Sequence, residues 1–146
     1  RKMSVVIEQP KSPRSRKGAK WEKWGWMYMR VSGAILLVLI FWHLISNLVM
    51  GDGISGIDFA FVAGKWANPW VQLMDGTMLW LALIHGTNGM RTIVNDYTER
   101  EGIRKTLNIA LWSVCAALIL LGTLVVTTFD PCIDPDAVNY LPQICK

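Results

Sequence analysis

Three apolar stretches of membrane-spanning length dominate the pattern of hydrophobic and polar positions. They cover residues 27–50, 70–95 and 107–129. At a rise of about 1.5 Å per residue, a helix of some 20 apolar residues crosses a hydrocarbon core about 30 Å thick. The first stretch contains one charge, Arg30, near its start, and the third contains none. The pattern therefore predicts an all-α integral membrane protein with three transmembrane helices.

The second stretch is more polar than the other two. Asp75 and Arg91 lie towards its ends, and its later half contains the sequence HGTNG, which begins at His85. Polar side chains inside a membrane face other helices or a cavity, because lipid offers them no hydrogen-bond partner. We therefore expect this helix to lie inside a bundle, packed against partners.

The distribution of lysine and arginine predicts the orientation. Nine of these residues lie within residues 1–30 and four within 91–105, whereas the segment after the first apolar stretch contains only Lys65 and the C-terminal tail only Lys146. Loops rich in Lys and Arg stay in the cytoplasm. We therefore expect a cytoplasmic N-terminus and an external C-terminus. The segments flanking the three helices are then a cytoplasmic basic arm (1–26), an outer loop (51–69), a cytoplasmic loop (96–106) and an irregular outer tail (130–146).

Composition supports a membrane protein over a soluble one. Hydrophobic residues make up 52% of the chain and charged residues only 18%, too little polar surface to cover three such stretches in water. The net charge of +4 comes from the basic arm. The positive-inside bias explains that arm without any binding to nucleic acid. About 26 polar and basic residues precede the first apolar stretch, so no signal peptide is expected.

The three cysteines have different expected roles. Cys115 lies in the third apolar stretch and is expected to be a small packing residue. Cys132 and Cys145 both lie in the outer tail, where an oxidising environment permits a disulfide. The alternative is two free thiols. No Cys-x-x-Cys pattern and no glycine-rich dinucleotide motif is present, so no iron–sulfur cluster is expected to be held by this chain alone.

The candidate chemistry lies between His85 and Tyr97. A neutral imidazole inside a membrane can ligate haem iron. Gly89, one turn further along the same face, together with Gly86 nearby, leaves room for a flat macrocycle. Asp96 returns to roughly that face about 16 Å nearer the cytoplasm, and the Tyr97 phenol can donate a hydrogen bond to a quinone carbonyl. The plainer interpretation is a histidine that only bridges two helices.

This pattern resembles the D-type membrane anchor of succinate dehydrogenase, respiratory complex II. The resemblance consists of His85, then Gly89-Met90 after three residues, then Asp96-Tyr97 at the end of the helix. An arginine at the start of the first helix, Arg30, and the three-helix topology extend it over most of residues 26–130. The specific motif itself is only thirteen residues long.

The resemblance implies a role for each of these residues. His85 would be an axial ligand of a haem b shared with a C-type anchor, which supplies the second ligand. Asp96 and Tyr97 would line the quinone site beside the iron–sulfur subunit, and Arg30 would approach a haem propionate. Arg91 departs from the family pattern. Its counter-ion would be a propionate, an anionic lipid or a carboxylate of a partner.

The C-type anchor is the related family most easily confused with this one. Arg30-Val31-Ser32-Gly33 resembles its first helix. However, Trp26 occupies the position where that family has a quinone-contacting serine. Arg91 is followed by Thr92-Ile93 rather than by His-Leu. The D-type anchor is therefore the better match.

His43 is the second histidine of the chain. Counted from Arg30 and Arg91, His43 lies roughly 10 Å nearer the outer face than His85. Two ligands of one iron must lie at the same level, because metal–nitrogen bonds are about 2 Å long. His43 is therefore expected to be a packed helix histidine, with a second-haem ligand or a contact to an outer quinone or lipid as alternatives.

The resemblance predicts a membrane anchor of succinate:quinone oxidoreductase in a bacterial inner membrane. Its partners would be an FAD flavoprotein, which carries the dicarboxylate chemistry, an iron–sulfur subunit and a C-type anchor. Electrons from succinate would reach ubiquinone or menaquinone. The alternatives are a quinol:fumarate reductase anchor, which works in the reverse direction, and a structural membrane adaptor without redox chemistry.

Overall fold

The computed structural model describes residues 16–50 and 52–145, and within them the protein is helical and contains no β-strand. The helices are α1 (Arg16–Leu44), which continues into a π-helical turn (Ile45–Val49), a 3-10 turn (Gly53–Gly56), α2 (Phe59–Trp66), α3 (Pro69–Tyr97), α4 (Glu101–Thr128) and the single turn α5 (Ala137–Tyr140). The first fifteen residues of the expected basic arm lie outside the described residues, as do Gly51 and Lys146.

The three long helices contain the three apolar stretches, but two of them begin earlier than expected. α1 already begins at Arg16, within the segment expected to be an arm. α4 begins at Glu101, so the expected 96–106 loop shrinks to the few residues after Tyr97. An ion pair between Glu101 and Lys105, 2.7 Å long and one turn apart, supports this polar first turn. Hydropathy marks the part of a helix suited to hydrocarbon rather than the point where the helix ends.

The segment 51–69 is not the plain loop that its glycines suggested, because it contains α2. The Asp58 carboxylate caps this helix by accepting a hydrogen bond of 2.8 Å from the Phe61 backbone amide. At the start of α3, Asn68 accepts a hydrogen bond from Trp70 N, and Pro69 occupies the first helical position. Two caps therefore define a short helix and a sharp turn into α3.

The C-terminal tail packs onto α2 and is more ordered than expected. A disulfide joins Cys132 and Cys145. The buried cluster at this end of the protein consists of Ala63, Ala137, Leu141 and Cys145. We call α2 together with residues 130–145 the outer cap, after the outer loop and outer tail expected from the sequence. The Trp66 ring meets the Phe129 ring edge to face at 5.1 Å, which joins the cap to the end of α4.

α3 occupies the middle of the helical bundle and packs against both α1 and α4. Polar pairs join α3 to α4: Trp80 Nε1 donates to Thr123 Oγ1 at 2.9 Å, and Asn108 Nδ2 donates to Asn95 Oδ1 at 2.8 Å. These bonds satisfy polar groups that lipid would leave without partners. The polar character of α3 is therefore explained by its central position.

Two segments of the described residues are long and apolar enough to cross a membrane by length and composition, Lys23–Val49 and Glu101–Thr128. Most of their large apolar side chains are exposed. A soluble protein would bury such side chains, whereas a membrane protein presents them to lipid or to other subunits. α3 is too polar to meet the same criterion.

Candidate functional site

His85 lies on α3 with its ring turned towards α1. Its Nδ1 atom is 2.8 Å from the hydroxyl oxygen of Ser32. Ser32 is only 2% exposed, and its hydroxyl also donates to the Met29 carbonyl at 3.4 Å. The Nε2 atom of His85 has no hydrogen-bond partner in the described part of the chain. The histidine is therefore held through one ring nitrogen, and the other remains available as a ligand.

A glycine on α1 creates the space for this ring. A Cβ atom at Gly33 would lie 3.3 Å from Cε1 of His85, a tight contact. Because glycine has no side chain, the edge of the imidazole can lie directly against the α1 backbone. Ser32 and Gly33 thus fix the position of His85 by hydrogen bonding and by close approach.

The two glycines of α3 that were expected to leave room for a macrocycle differ in their surroundings. Gly89, expected to face a macrocycle, lies opposite Met29 of α1, whose terminal methyl group would be 3.9 Å from a Cβ atom there. Gly86 is the open position, because a Cβ atom at this residue would meet nothing within 4 Å. The free backbone surface near His85 is therefore at Gly86, and Gly89 belongs to the contact with α1.

These residues fit one side of a haem site. A haem needs from one chain only an axial nitrogen ligand and room for its flat ring, and His85 and Gly86 offer both. Among residues 16–50 and 52–145, no three His, Cys, Asp or Glu side chains come together to hold a metal ion by themselves. The other histidine of the chain, His43, is bonded to Asp75, ten residues from His85 along α3, so a second axial histidine at the level of His85 would be supplied by another chain.

Asp96 and Tyr97 lie at the free end of α3. Tyr97 is the last residue of the helix and is 84% exposed. Asp96 is also exposed, and neither side chain has a hydrogen-bond partner within the described residues. The chain therefore presents the carboxylate and the phenol outward and does not enclose them in a pocket of its own.

The two arginines singled out by the sequence are both exposed. The guanidinium carbon of Arg30 lies 3.7 Å from the centre of the Trp26 ring, a cation–π contact. In the portion of the chain that the structure describes, neither Arg30 nor Arg91 forms an ion pair with a carboxylate. Both cations remain available to an anionic group outside the chain.

His43 belongs to a second polar cluster at the other end of α3. Its Nδ1 atom is 3.3 Å from one oxygen of Asp75, and the other oxygen accepts a hydrogen bond of 2.8 Å from the Trp66 indole. Lys65 donates to Asn47 Oδ1 at 2.9 Å beside it. A cavity of about 460 Å³ adjoins these side chains. We call His43, Asp75 and Trp66 the outer cluster.

Sequence reasoning did not foresee the outer cluster, although one signal was present. Asp75 is a carboxylate within an apolar stretch and requires a partner. The antiparallel contact that joins Ser32 to His85 also places His43 opposite Asp75. Asp75 precedes His85 by ten residues, which corresponds to about 15 Å along the helix. The two histidines therefore lie at different levels of the bundle.

Comparison with known proteins identifies the family. The family model of the succinate dehydrogenase/fumarate reductase transmembrane subunit matches residues 6–124. The chain is 29% identical to the succinate dehydrogenase 2 membrane subunit SdhC of Mycobacterium tuberculosis over 98 residues, 67% of this chain and 69% of that relative.

Two further relatives are named succinate dehydrogenase hydrophobic membrane anchor subunit. The protein from Rickettsia typhi is 24% identical over 115 residues, 79% of this chain and 86% of the relative. The protein from Thermoplasma acidophilum is 27% identical over 95 residues, 64% of this chain and 76% of the relative. The family match covers more than half of the chain. This protein therefore belongs to the family of succinate dehydrogenase/fumarate reductase transmembrane subunits.

Proposed function

We propose that this anchor subunit co-ligates a haem b through His85 and contributes Asp96 and Tyr97 to a quinone-reduction site, as part of a succinate:quinone oxidoreductase. The observation that carries the proposal is the state of His85, with Nδ1 bonded to Ser32 and Nε2 free. A histidine that only bridged two helices would explain the first bond. The open backbone surface at Gly86 beside it also leaves room for a flat ring.

The proposed topology has three membrane spans with a cytoplasmic N-terminus and an external C-terminus in a bacterial inner membrane. In this topology α3 spans the membrane as well as α1 and α4. It can do so despite its polarity, because polar groups on it bond to α1 and α4 rather than facing lipid. This arrangement puts Tyr97 on the cytoplasmic side, where an iron–sulfur subunit and an FAD flavoprotein would dock. The disulfide in the outer tail agrees with an oxidising external compartment.

Each residue has a separate task in this proposal. His85 would hold the haem iron through Nε2, a C-type anchor would supply the other protein ligand, and Arg30 or Arg91 would neutralise a propionate. A bound haem would supply one-electron storage beside the quinone site. Tyr97 would donate a hydrogen bond, and then its proton, to the quinone carbonyl as it is reduced, and Asp96 would help to position the phenol and to return a proton from solvent to the phenolate.

The haem assignment is tested by His85→Ala in the purified complex, with His43→Gln as the matched control on α1. We expect His85→Ala to abolish the haem absorbance and the matching iron. His43→Gln should retain both, since its glutamine still has a donor for Asp75. Unchanged haem absorbance and iron stoichiometry in His85→Ala would show that this histidine is not a ligand.

The quinone assignment is tested by Tyr97→Phe, which removes one hydroxyl from an exposed position. Reduction of quinone by succinate should fall about a hundredfold or more, consistent with loss of a positioned acid group. Succinate oxidation by an artificial dye acceptor should stay at the wild-type rate, because the dye takes its electrons from the soluble subunits. An equal loss of both activities would exclude the quinone role.

The alternatives predict different results for the same preparation. A structural adaptor without redox chemistry predicts no haem bands in the reduced-minus-oxidised spectrum of the complex. A fumarate reductase anchor predicts the same haem but net quinol oxidation with fumarate. The free Nε2 of His85 favours the redox-active interpretation over the adaptor.

A further inference from the structure

We infer that Ser32 is the positioning residue of the haem ligand: its hydroxyl oxygen accepts a hydrogen bond from Nδ1–H of His85 and so sets both the tautomer and the electron-donating strength of the imidazole. The inference rests on the proposed haem role of His85. It assigns a function to a side chain on α1, a helix that contributes no ligand of its own to this haem.

The hydroxyl of Ser32 has two partners at different distances. The distance from Ser32 Oγ to His85 Nδ1 is 2.8 Å, within the normal range of a hydrogen bond, whereas the distance to the Met29 carbonyl is 3.4 Å. Serines in membrane helices commonly donate to a carbonyl of the preceding turn. Here that bond is the longer one, and the imidazole is the closer partner.

Ser32 and His85 together have two protons to place, one on the hydroxyl and one on the imidazole. A hydroxyl has one proton and two lone pairs, and a neutral imidazole has one proton on one of its two nitrogens. If the hydroxyl proton goes to Met29 O, the oxygen is free to accept from Nδ1–H, and the lone pair then resides on Nε2. If Ser32 instead donated to Nδ1, the imidazole proton would sit on Nε2 and block the iron. Iron ligation through Nε2 therefore selects the first arrangement.

The hydrogen bond between Ser32 and His85 lies in an enclosed position. Ser32 is 2% exposed on a helix whose other side chains are mostly exposed, and the missing side chain of Gly33 brings the ring against α1. A hydrogen bond that is shielded from water and lipid keeps its partners in a fixed orientation. Donation from Nδ1–H to an acceptor makes the other nitrogen a stronger ligand. A stronger imidazole donor favours ferric over ferrous iron and lowers the midpoint potential of the haem.

The experiment is a redox titration of the haem in the purified whole complex, combined with the low-spin ferric EPR spectrum. Ser32→Ala removes the acceptor and should raise the midpoint potential. A tenfold loss in the preference for ferric iron corresponds to about 59 mV for a one-electron couple. The EPR g-values should move with it, and haem affinity should fall by roughly ten- to a hundredfold, as is usual when such an outer partner is removed.

Two variants separate this effect from general damage. Ser32→Thr keeps the hydroxyl and should restore the potential and g-values to near the wild type. Ser46→Ala removes a hydroxyl of the π-helical turn that follows α1, which donates to the backbone carbonyl of His43, and should change neither. If Ser32→Ala does not assemble, Ser32→Cys, which has a similar size but a much weaker acceptor, should show the same direction of shift.

The possible outcomes distinguish this inference from the function on which it rests. A wild-type complex without haem would refute the proposed function and, with it, the role of Ser32. If His85→Ala loses the haem but Ser32→Ala or Ser32→Cys keeps the wild-type potential and g-values, Ser32 only packs against the ring. A shift in Ser32→Ala that Ser32→Thr reverses establishes the acceptor role.

Discussion

The His85 ring has room to approach α1 because residue 33 of that helix is glycine, which has no side chain. Gly33→Ala would place a Cβ atom 3.3 Å from Cε1 of His85, so the ring would have to move by a few tenths of an ångström. Metal ligands tolerate such displacements poorly, because bond lengths to the metal are nearly fixed. We expect haem affinity to fall about tenfold and the haem absorption bands to broaden, as measured by haem per complex and optical spectra.

Gly25→Ala is the matched control for this change, since it adds the same methyl group to α1 where nothing lies within 4 Å. Alanine is the better helix former by about 1 kcal/mol in either position. If the added methyl group acted only on α1 itself, both variants would therefore be as stable as the wild type or slightly more stable. Wild-type spectra and haem content in Gly33→Ala would contradict the close-approach argument.

Spacing along one helix identified His85 but could not identify its immediate neighbours. The cost of a polar side chain in a membrane was sufficient to single out His85. Which glycine is open, Gly86 or Gly89, depends on the register between α3 and α1. That register is set by contacts between residues more than fifty positions apart, such as Ser32 with His85. Periodicity within a single helix contains no information about them.

The outer cluster joins three helices at one carboxylate. Asp75 on α3 accepts from His43 on α1 and from Trp66 on α2, and its side chain is only 15% exposed. Asp75→Ala leaves both of these polar groups without their acceptor. We expect a loss of roughly 1–3 kcal/mol in the stability of the outer end, the usual range for hydrogen bonds to a charged group.

The measurement for Asp75→Ala is the thermal unfolding of the purified complex together with proteolysis of the external segments. Glu101→Gln is the control. It breaks the Glu101–Lys105 pair, whose side chains are 66% and 71% exposed, and an exposed ion pair contributes little to stability. Equal stability of the two variants would show that the outer cluster does not hold the helices together.

At the scale of elements, hydropathy predicted the three long helices and missed the short ones. The glycines of 51–69 suggested a loop, yet the cap at Asp58 and the packing of Ala63 against the tail produce α2. Eight residues cannot form a stable helix by themselves in water. α2 is therefore a consequence of tertiary packing, and a pattern based on local composition could not have predicted it.

Across the described part of the molecule, the large hydrophobic side chains of α1 and α4 are mostly exposed. Among the candidate site residues, His85 has a free Nε2, and the side chains of Asp96 and Tyr97 have no hydrogen-bond partner within the described residues. The sequence could predict this incompleteness, because a single-histidine ligand and an unpaired Asp-Tyr at a helix end both require other chains. It could not predict which surfaces those chains cover, since that depends on their own shapes.

Whether α3 crosses the membrane decides the topology of the molecule, and two engineered cysteines can test it. With three spans, the segment before α2 and the turn after Tyr97 lie on opposite sides. With only α1 and α4 spanning, both lie on the same side. Ser55 and Glu99 are exposed in these two segments. The native cysteines do not interfere, because Cys115 is buried and the other two form a disulfide.

The test applies a membrane-impermeant maleimide to intact cells that express the complex with Ser55→Cys or Glu99→Cys. Ser55→Cys should react from outside, and Glu99→Cys should react only after the membrane is opened, with a permeant reagent applied to the folded complex giving the total for each. The physical reason is that thirteen of the fifteen Lys and Arg residues fall within 1–30 and 91–105, and segments rich in these residues are not translocated. Similar labelling of both cysteines from one side would establish a two-span chain. In a two-span chain the polar hydrogen bonds of α3 would lie outside the bilayer, and Tyr97 would not face an electron donor in the cytoplasm.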